Sequence, residues 1–145
     1  MTGLALCLVL TGAARAEPTL AVRVSGFERP VGDAIVAVFG PEDDWLDLDH
    51  PTARAVLPVL GGEVSCVFEG LAPGRWAVAV VHDLDGDGHL DMRWFPWPKL
   101  LEAVGMSNDP QSSLGPPSFS AAAFDLAAEG RNIHVHMRQV EGRAP

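Results

Sequence analysis

Beyond its first residues this chain has no apolar run approaching the 18 or so that a membrane-spanning helix needs. Cysteine is scarce, with two in 145 residues. Bases are scarce as well: ten Lys and Arg face nineteen Asp and Glu, a formal net charge of −9. Each shortage excludes something. Without a long apolar run, no membrane span is expected. With so few cysteines, a disulfide scaffold is not expected. An acidic surface repels phosphate backbones and anionic lipid, so nucleic acid is not an expected partner. Divalent cations, basic partners or plain solubility suit the charge better.

Catalytic patterns are missing too. There is no glycine-rich phosphate loop and no basic patch. Ser107 lies in GMSND, which is not the G-x-S-x-G of a nucleophile elbow. No motif supports a reaction, so a non-enzymatic role is expected.

The first sixteen residues, MTGLALCLVLTGAARA, read as a secretory signal. The apolar run Leu4 to Leu10 is too short to span a bilayer, and Ala14-Arg15-Ala16 fits an A-x-A cleavage site. No Lys or Arg precedes the run, which departs from the usual signal. Cleavage after Ala16 would leave residues 17–145 as a single domain, periplasmic or extracellular, with its core over about 19–138. Losing Arg15 would leave nine bases against nineteen acids, a net of −10. Cys66 would then be the one cysteine, placed in VSCVF to pack as a small apolar side chain.

What is present is glycine, proline and alternation. Fifteen Gly and twelve Pro are spread along the chain, which suits short strands joined by turns. TLAVRVS (19–25) alternates, with Leu20, Val22 and Val24 on one face. AIVAVF (34–39) is apolar on both faces and reads as a central strand. Further strands are expected at 55–59, 63–69, 75–82, 119–126 and 132–138. Between them, 41–53 is an acidic excursion that Trp45, Leu46 and Leu48 would anchor. Pro98 would open a short helix ended by Gly105. About seven evenly spaced strands and one long loop carrying a short helix predict an all-β, antiparallel seven-stranded β-sandwich. A monomer is expected.

The most chemical stretch is HDLDGDGHLD, 82–91. Counted from Asp83, acids fall at positions 1, 3, 5 and 9 (Asp83, Asp85, Asp87, Asp91), with glycine at position 6. This is the opening of a calcium loop. Position 12 is Trp94, where an EF-hand has a bidentate Glu, and the loop follows a strand. An EF-hand is therefore excluded, and a calcium loop borrowing a remote ligand stays open. So does a solvated acidic turn, since Asp-Gly pairs favour turns by themselves. Like carboxylates 4 Å apart cost on the order of 4 kcal/mol at an effective dielectric of about 20, before screening, which favours a counterion. Without the twelfth-position acid, calcium affinity is expected to be weak, about 10⁻⁴–10⁻³ M.

Other constellations carry less. His134 and His136 share a strand face and, if joined by His82, have zinc or copper chemistry; an exposed polar face is the plainer reading. Trp94, Phe95, Trp97, Leu100 and Leu101 form an apolar cluster that either packs over the sandwich or meets an envelope protein, peptide or carbohydrate. A metal-dependent hydrolase built on His82, Asp83 and Ser107 is the alternative function.

The run GLAPGRWAVAVVHDLDGDGHLD resembles the signature of a bacterial secreted family of unknown function, domain family DUF2141. Pro98-Lys99, Gly105, Ser107-Asn108, Gly115-Pro116-Pro117-Ser118-Phe119 and Ala122-Ala123-Phe124 follow in the family's order. Trp76 stands where the family has Tyr, and PWPKLLEAV replaces a shorter, glycine-containing stretch. The resemblance implies an immunoglobulin-like or transthyretin-like sandwich and no reaction. Because the Ser-Asn pair accompanies the acidic loop in that pattern, Asn108, or its neighbour Asp109, is the expected remote calcium ligand.

Overall fold

The computed structural model describes residues 17–84, 86, 88, 103–111 and 116–138, and the backbone of 92–93 and 99–100. Alternating apolar sequence becomes strand throughout. In chain order these are β1 (Leu20–Ser25), β2 (Asp33–Phe39), β3 (Ala53–Pro58), β4 (Glu63–Phe68), β5 (Gly74–Asp83), β6 (Met92–Arg93), β7 (Lys99–Leu100) and β8 (Val104–Met106). A four-residue helix α1 (Phe119–Ala122), β9 (Phe124–Leu126) and β10 (Arg131–His136) complete the described chain.

Two main sheets form. One has three strands in the order β10-β1-β4. The other has five: β3-β2-β5-β8, with β9 also pairing β5. β6 and β7 make a separate two-stranded ribbon. The sheets share one core, which gathers Leu20, Val22 and Val24 of β1, Val36 and Val38 of β2, Val78 and Val80 of β5, and Val135 of β10. The all-β expectation holds at this level, and the chain is sandwich-like.

The finer expectation needs correcting. The three-stranded sheet is mixed, because β1 runs parallel to β10, Leu20 opposite Arg131 through Ser25 opposite His136. A parallel pair needs a long crossover, and here nearly the whole domain lies between the two strands. Local alternation carries no trace of such a pairing. Among the described residues the two main sheets also hold eight strands, not seven.

The helix lies elsewhere than expected. Lys99–Leu100 and Val104–Met106 are strands, and the remainder of 94–102 falls outside the described residues. Gly105 stops no helix. It lets β8 cross β10 closely: a Cβ there would meet the His136 carbonyl oxygen at 2.8 Å. Phe119–Ala122, expected as strand, is helical because Ser118 caps it, its hydroxyl accepting from the Ala121 N–H at 3.2 Å.

Candidate functional site

The longest strand, β5, ends in the acidic loop, and alternation assigns its last two polar residues to opposite faces. His82 points inward. It is buried, edge-on to Phe27 at 5.1 Å between centroids, and its Nε2–H donates to the Val31 carbonyl at 2.7 Å. Asp83 points outward and stands in register with Asp33 of β2. It is nonetheless only 1% exposed.

The carboxylate of Asp83 organises the loop. Oδ1 accepts from the Gly86 N–H at 3.0 Å and Oδ2 from the Gly88 N–H at 2.7 Å. Both glycines have positive φ, 71° and 79°, so the backbone curls round the side chain. Charge-assisted hydrogen bonds of this kind are the strong ones, and they supply what burial of a carboxylate requires. From behind, Gly32 presses on the loop's root. A Cβ at Gly32 would lie 2.3 Å from the Asp83 carbonyl oxygen, so no side chain fits.

Two further groups reach the loop. Arg54 of β3 donates from Nη2 to the Gly88 carbonyl at 3.0 Å, bringing a cation to an acidic turn. Asp33 brings a carboxylate: its Oδ2 is 3.9 Å from where a side chain on Gly86 would begin. Sequence reading overlooked Asp33. It sits fifty residues from Asp83, and only the pairing of β2 with β5 places them side by side. The available signal was a lone acid at the head of a strand apolar on both faces.

The other expected residues scatter. Asp85, Asp87 and Asp91 lie outside the described residues, as do Trp94, Phe95, Trp97, Leu101 and the side chain of Leu100. Among the described residues no three His, Cys, Asp or Glu side chains converge on a point.

Asn108 is not brought to the loop. β8 runs antiparallel to β5 with Met106 opposite Ala79, so Asn108 continues away from Asp83. The backbone distance is at least four residues of strand, roughly 13 Å or more. Its amide instead donates to the Ala123 carbonyl at 2.7 Å. Asp109 forms a forked ion pair with Arg138, Oδ1 accepting from Nε at 2.7 Å and Oδ2 from Nη2. That guanidinium holds the Asp109 carboxyl below the usual carboxylate range.

Ser107 does not meet His82 either. Its Oγ accepts from the Val78 N–H at 2.9 Å and donates to the Ala122 carbonyl at 2.5 Å. Val78 is five residues from Asp83 along β5, about 16 Å. The Ser-Asn pair thus ties β8 to β5 and to the end of α1. His134 and His136 lie on the solvent face of the three-stranded sheet, while His82 lies between the sheets, so these three are not joined. Cys66 is a free, half-buried thiol whose pKa burial pushes up, and it packs against the core.

The fold and this loop define a class: an all-β, sandwich-like domain whose longest strand ends in an acidic turn wound on a buried carboxylate. The family follows from comparison of whole sequences. The family described as "Uncharacterized protein conserved in bacteria (DUF2141)" matches residues 22–134, and the chain belongs to it. No curated protein and no solved structure matches the chain.

Proposed function

We propose that this chain is a non-enzymatic binding or accessory module of the bacterial cell envelope, exported by its first sixteen residues and monomeric. Its fold on this reading is an immunoglobulin-like or transthyretin-like variant. Its ligand would be an envelope protein, a peptide or a carbohydrate. The loop after β5 is a structural staple that takes up calcium weakly through Asp83, Asp85, Asp87 and Asp91. Asp33 takes the place of Asn108 as the remote ligand.

One observation carries this reading: the buried Asp83 carboxylate already winds the loop around itself, with Asp33 beside it across β2 and β5. The polar groups a hydrolase would use support the same reading from the other side. His82 is engaged with the Val31 carbonyl and Ser107 with the backbone of Val78 and Ala122, and Val78 lies four residues from His82 along β5.

Thermal unfolding of the chelator-stripped protein tests it. At about 5 mM calcium and a Kd of about 10⁻⁴–10⁻³ M, binding should add about 1–2 kcal/mol, a Tm rise of about 2–8 °C. Magnesium at equal concentration should do less, since it dehydrates reluctantly. Asp33→Asn should reduce the calcium-dependent rise by at least half. An unchanged Tm in the unsubstituted protein would remove calcium and leave a turn held by Asp83 and Arg54.

A further inference from the structure

The outer face of the three-stranded sheet holds a second constellation, on the side of the sandwich away from the acidic loop. Strand alternation sends Arg23 and Ser25 of β1, His134 and His136 of β10, and Ser65 and Glu63 of β4 to this one face. The parallel register sets Ser25 opposite His136 and Arg23 opposite His134. Both imidazoles lean on the same oxygen. His134 Nε2 is 2.6 Å from Ser25 Oγ, and His136 Nδ1 is 3.5 Å from it.

Histidines two apart on a strand project from one face, and here both turn toward a single hydroxyl. A hydroxyl has one proton, so it can donate to only one of two neutral rings. The backbone makes room for the arrangement at Gly26. Its φ is +91°, and a Cβ there would lie 2.9 Å from His136 Cε1, so a larger residue would push the ring from its place.

We propose that Ser25, His134 and His136 form a binding site for a divalent d-block cation with an imidazole preference, zinc or copper in type. Two ring nitrogens supply the bonds such ions favour, at about 2.0–2.1 Å for zinc. Since no third His, Cys, Asp or Glu joins them among the described residues, the Ser25 hydroxyl and water complete the set. Both rings project from one face of one strand, and a nitrogen of each already lies within 3.5 Å of the same oxygen. The surroundings favour a cation. Glu63 lies opposite Ser25 in register and is held only loosely by Arg23, at 3.6 Å. The chain's net charge is −9. Calcium and magnesium would not compete, as hard ions prefer oxygen ligands. The open coordination positions face solvent, where a donor from another molecule could enter.

Site-resolved NMR with zinc chloride alone tests the site and separates it from His50, His89 and the acidic loop. Zinc should shift the resonances of Ser25, His134 and His136 together, saturating at one ion per chain for that set. His134→Gln and His136→Gln should each weaken this binding at least tenfold. Ser25→Ala should weaken it less. Excess calcium should leave it unchanged. These positions are on an exposed face, and thermal unfolding of each variant verifies that the fold persists. Absence of shifts at Ser25, His134 and His136 at millimolar zinc would overturn the proposal. Equal zinc affinity in the folded His134→Gln/His136→Gln double variant would do so as well. The outcome is independent of the calcium experiment, since different residues and a different sheet are read.

Discussion

The two sheets treat their outer faces in opposite ways. On the three-stranded sheet the outward residues are mostly polar: Arg23 and Ser25, Glu63 and Ser65, Asn132, His134 and His136, with Ala21 and Val67, the latter 59% exposed, as the apolar ones. On the five-stranded sheet only Arg54 and Val56 of the edge strand β3 stay exposed beside the central strands on the outer face. The outward residues of the two central strands are Ile35, Ala37 and Phe39 of β2 and Ala79 and Val81 of β5, none more than 3% exposed. They form a second apolar cluster with Leu48, and Trp45, Leu46, Val104, Met106 and Phe119 pack on it. Trp45 meets Phe39 and Phe119 edge-on at 5.2 and 5.9 Å, and its indole N–H donates to the Pro117 carbonyl at 2.7 Å. One sheet is therefore half of an ordinary two-layer sandwich. At its central strands β2 and β5 the other is the middle of three layers, covered by the excursion at 41–52 and by the Pro-Pro-Ser-Phe segment. The contrast teaches where the family's ordered motifs act. Pro117, Ser118 and Phe119 secure this cover, and Ser107 and Asn108 secure the strand beside it.

Substitution on the two faces should break the contrast most visibly. Phe39→Ala should cost about 3–5 kcal/mol by chemical denaturation, because it empties the site where Trp45 docks. Val67→Ala on the other sheet should fall within about 0.5 kcal/mol. Comparable losses at the two positions would mean that the solvated face is covered in solution, contrary to the layering described. Ser107→Ala is expected next in size, about 1–3 kcal/mol, since the Val78 N–H and the Ala122 carbonyl would each lose a buried partner. Equilibrium unfolding measures it, and a neutral result would show that water replaces the hydroxyl.

The smallest effect lies on the solvent side of the cover. His50 Nδ1 and Asp47 Oδ2 are 2.9 Å apart. The hydrogen bond with Asp47 raises the His50 pKa above its ordinary 6.5, and the same bond lowers Asp47 below 3.8. The sign follows from these directions. The histidine's share of stability is fully present below pH 6.5 and disappears as pH rises through its raised value. The carboxylate's share is present above pH 3.8 and disappears as pH falls through its lowered value. Both side chains are solvated, so stability should barely respond. An NMR titration should find His50 above the ordinary imidazole value, and Asp47→Asn should return it there. A His50 titration unaffected by Asp47→Asn would show that the pair does not persist in solution.

Much of this architecture was legible, and particular residues show why. Leu20-Val22-Val24 and Val64-Cys66-Phe68 alternate because each strand has one wet face. AIVAVF lacks alternation because both its faces are dry, and it was read as central on that ground. Trp45, Leu46 and Leu48 stand out as anchors, being large apolar residues in an otherwise acidic excursion. Phe119–Ala122 is helical where its apolar run suggests a strand, because the Ser118 cap changes the local choice. The parallel pairing of β1 with β10 had no local signature. At the acidic loop, Asp83 was found from spacing, whereas Asp33 and Arg54 were not, since each reaches the loop from a strand far away in the chain.

By itself the sequence determined what short-range chemistry can decide: strand or turn, buried or wet face, the acidic loop and its place after the longest strand, and the family. Those follow from side-chain period, backbone preferences of Gly and Pro, and the order of motifs. Only the tertiary structure decided which residues meet. It turned Asn108 toward α1, placed Asp33 beside Asp83, gave the five-stranded sheet its cover, and leaned His134 and His136 on Ser25. Each of these is a contact between segments tens of residues apart. Such contacts depend on which strands pair and in which register, and register is settled by burying whole faces at once, not by any local stretch of sequence.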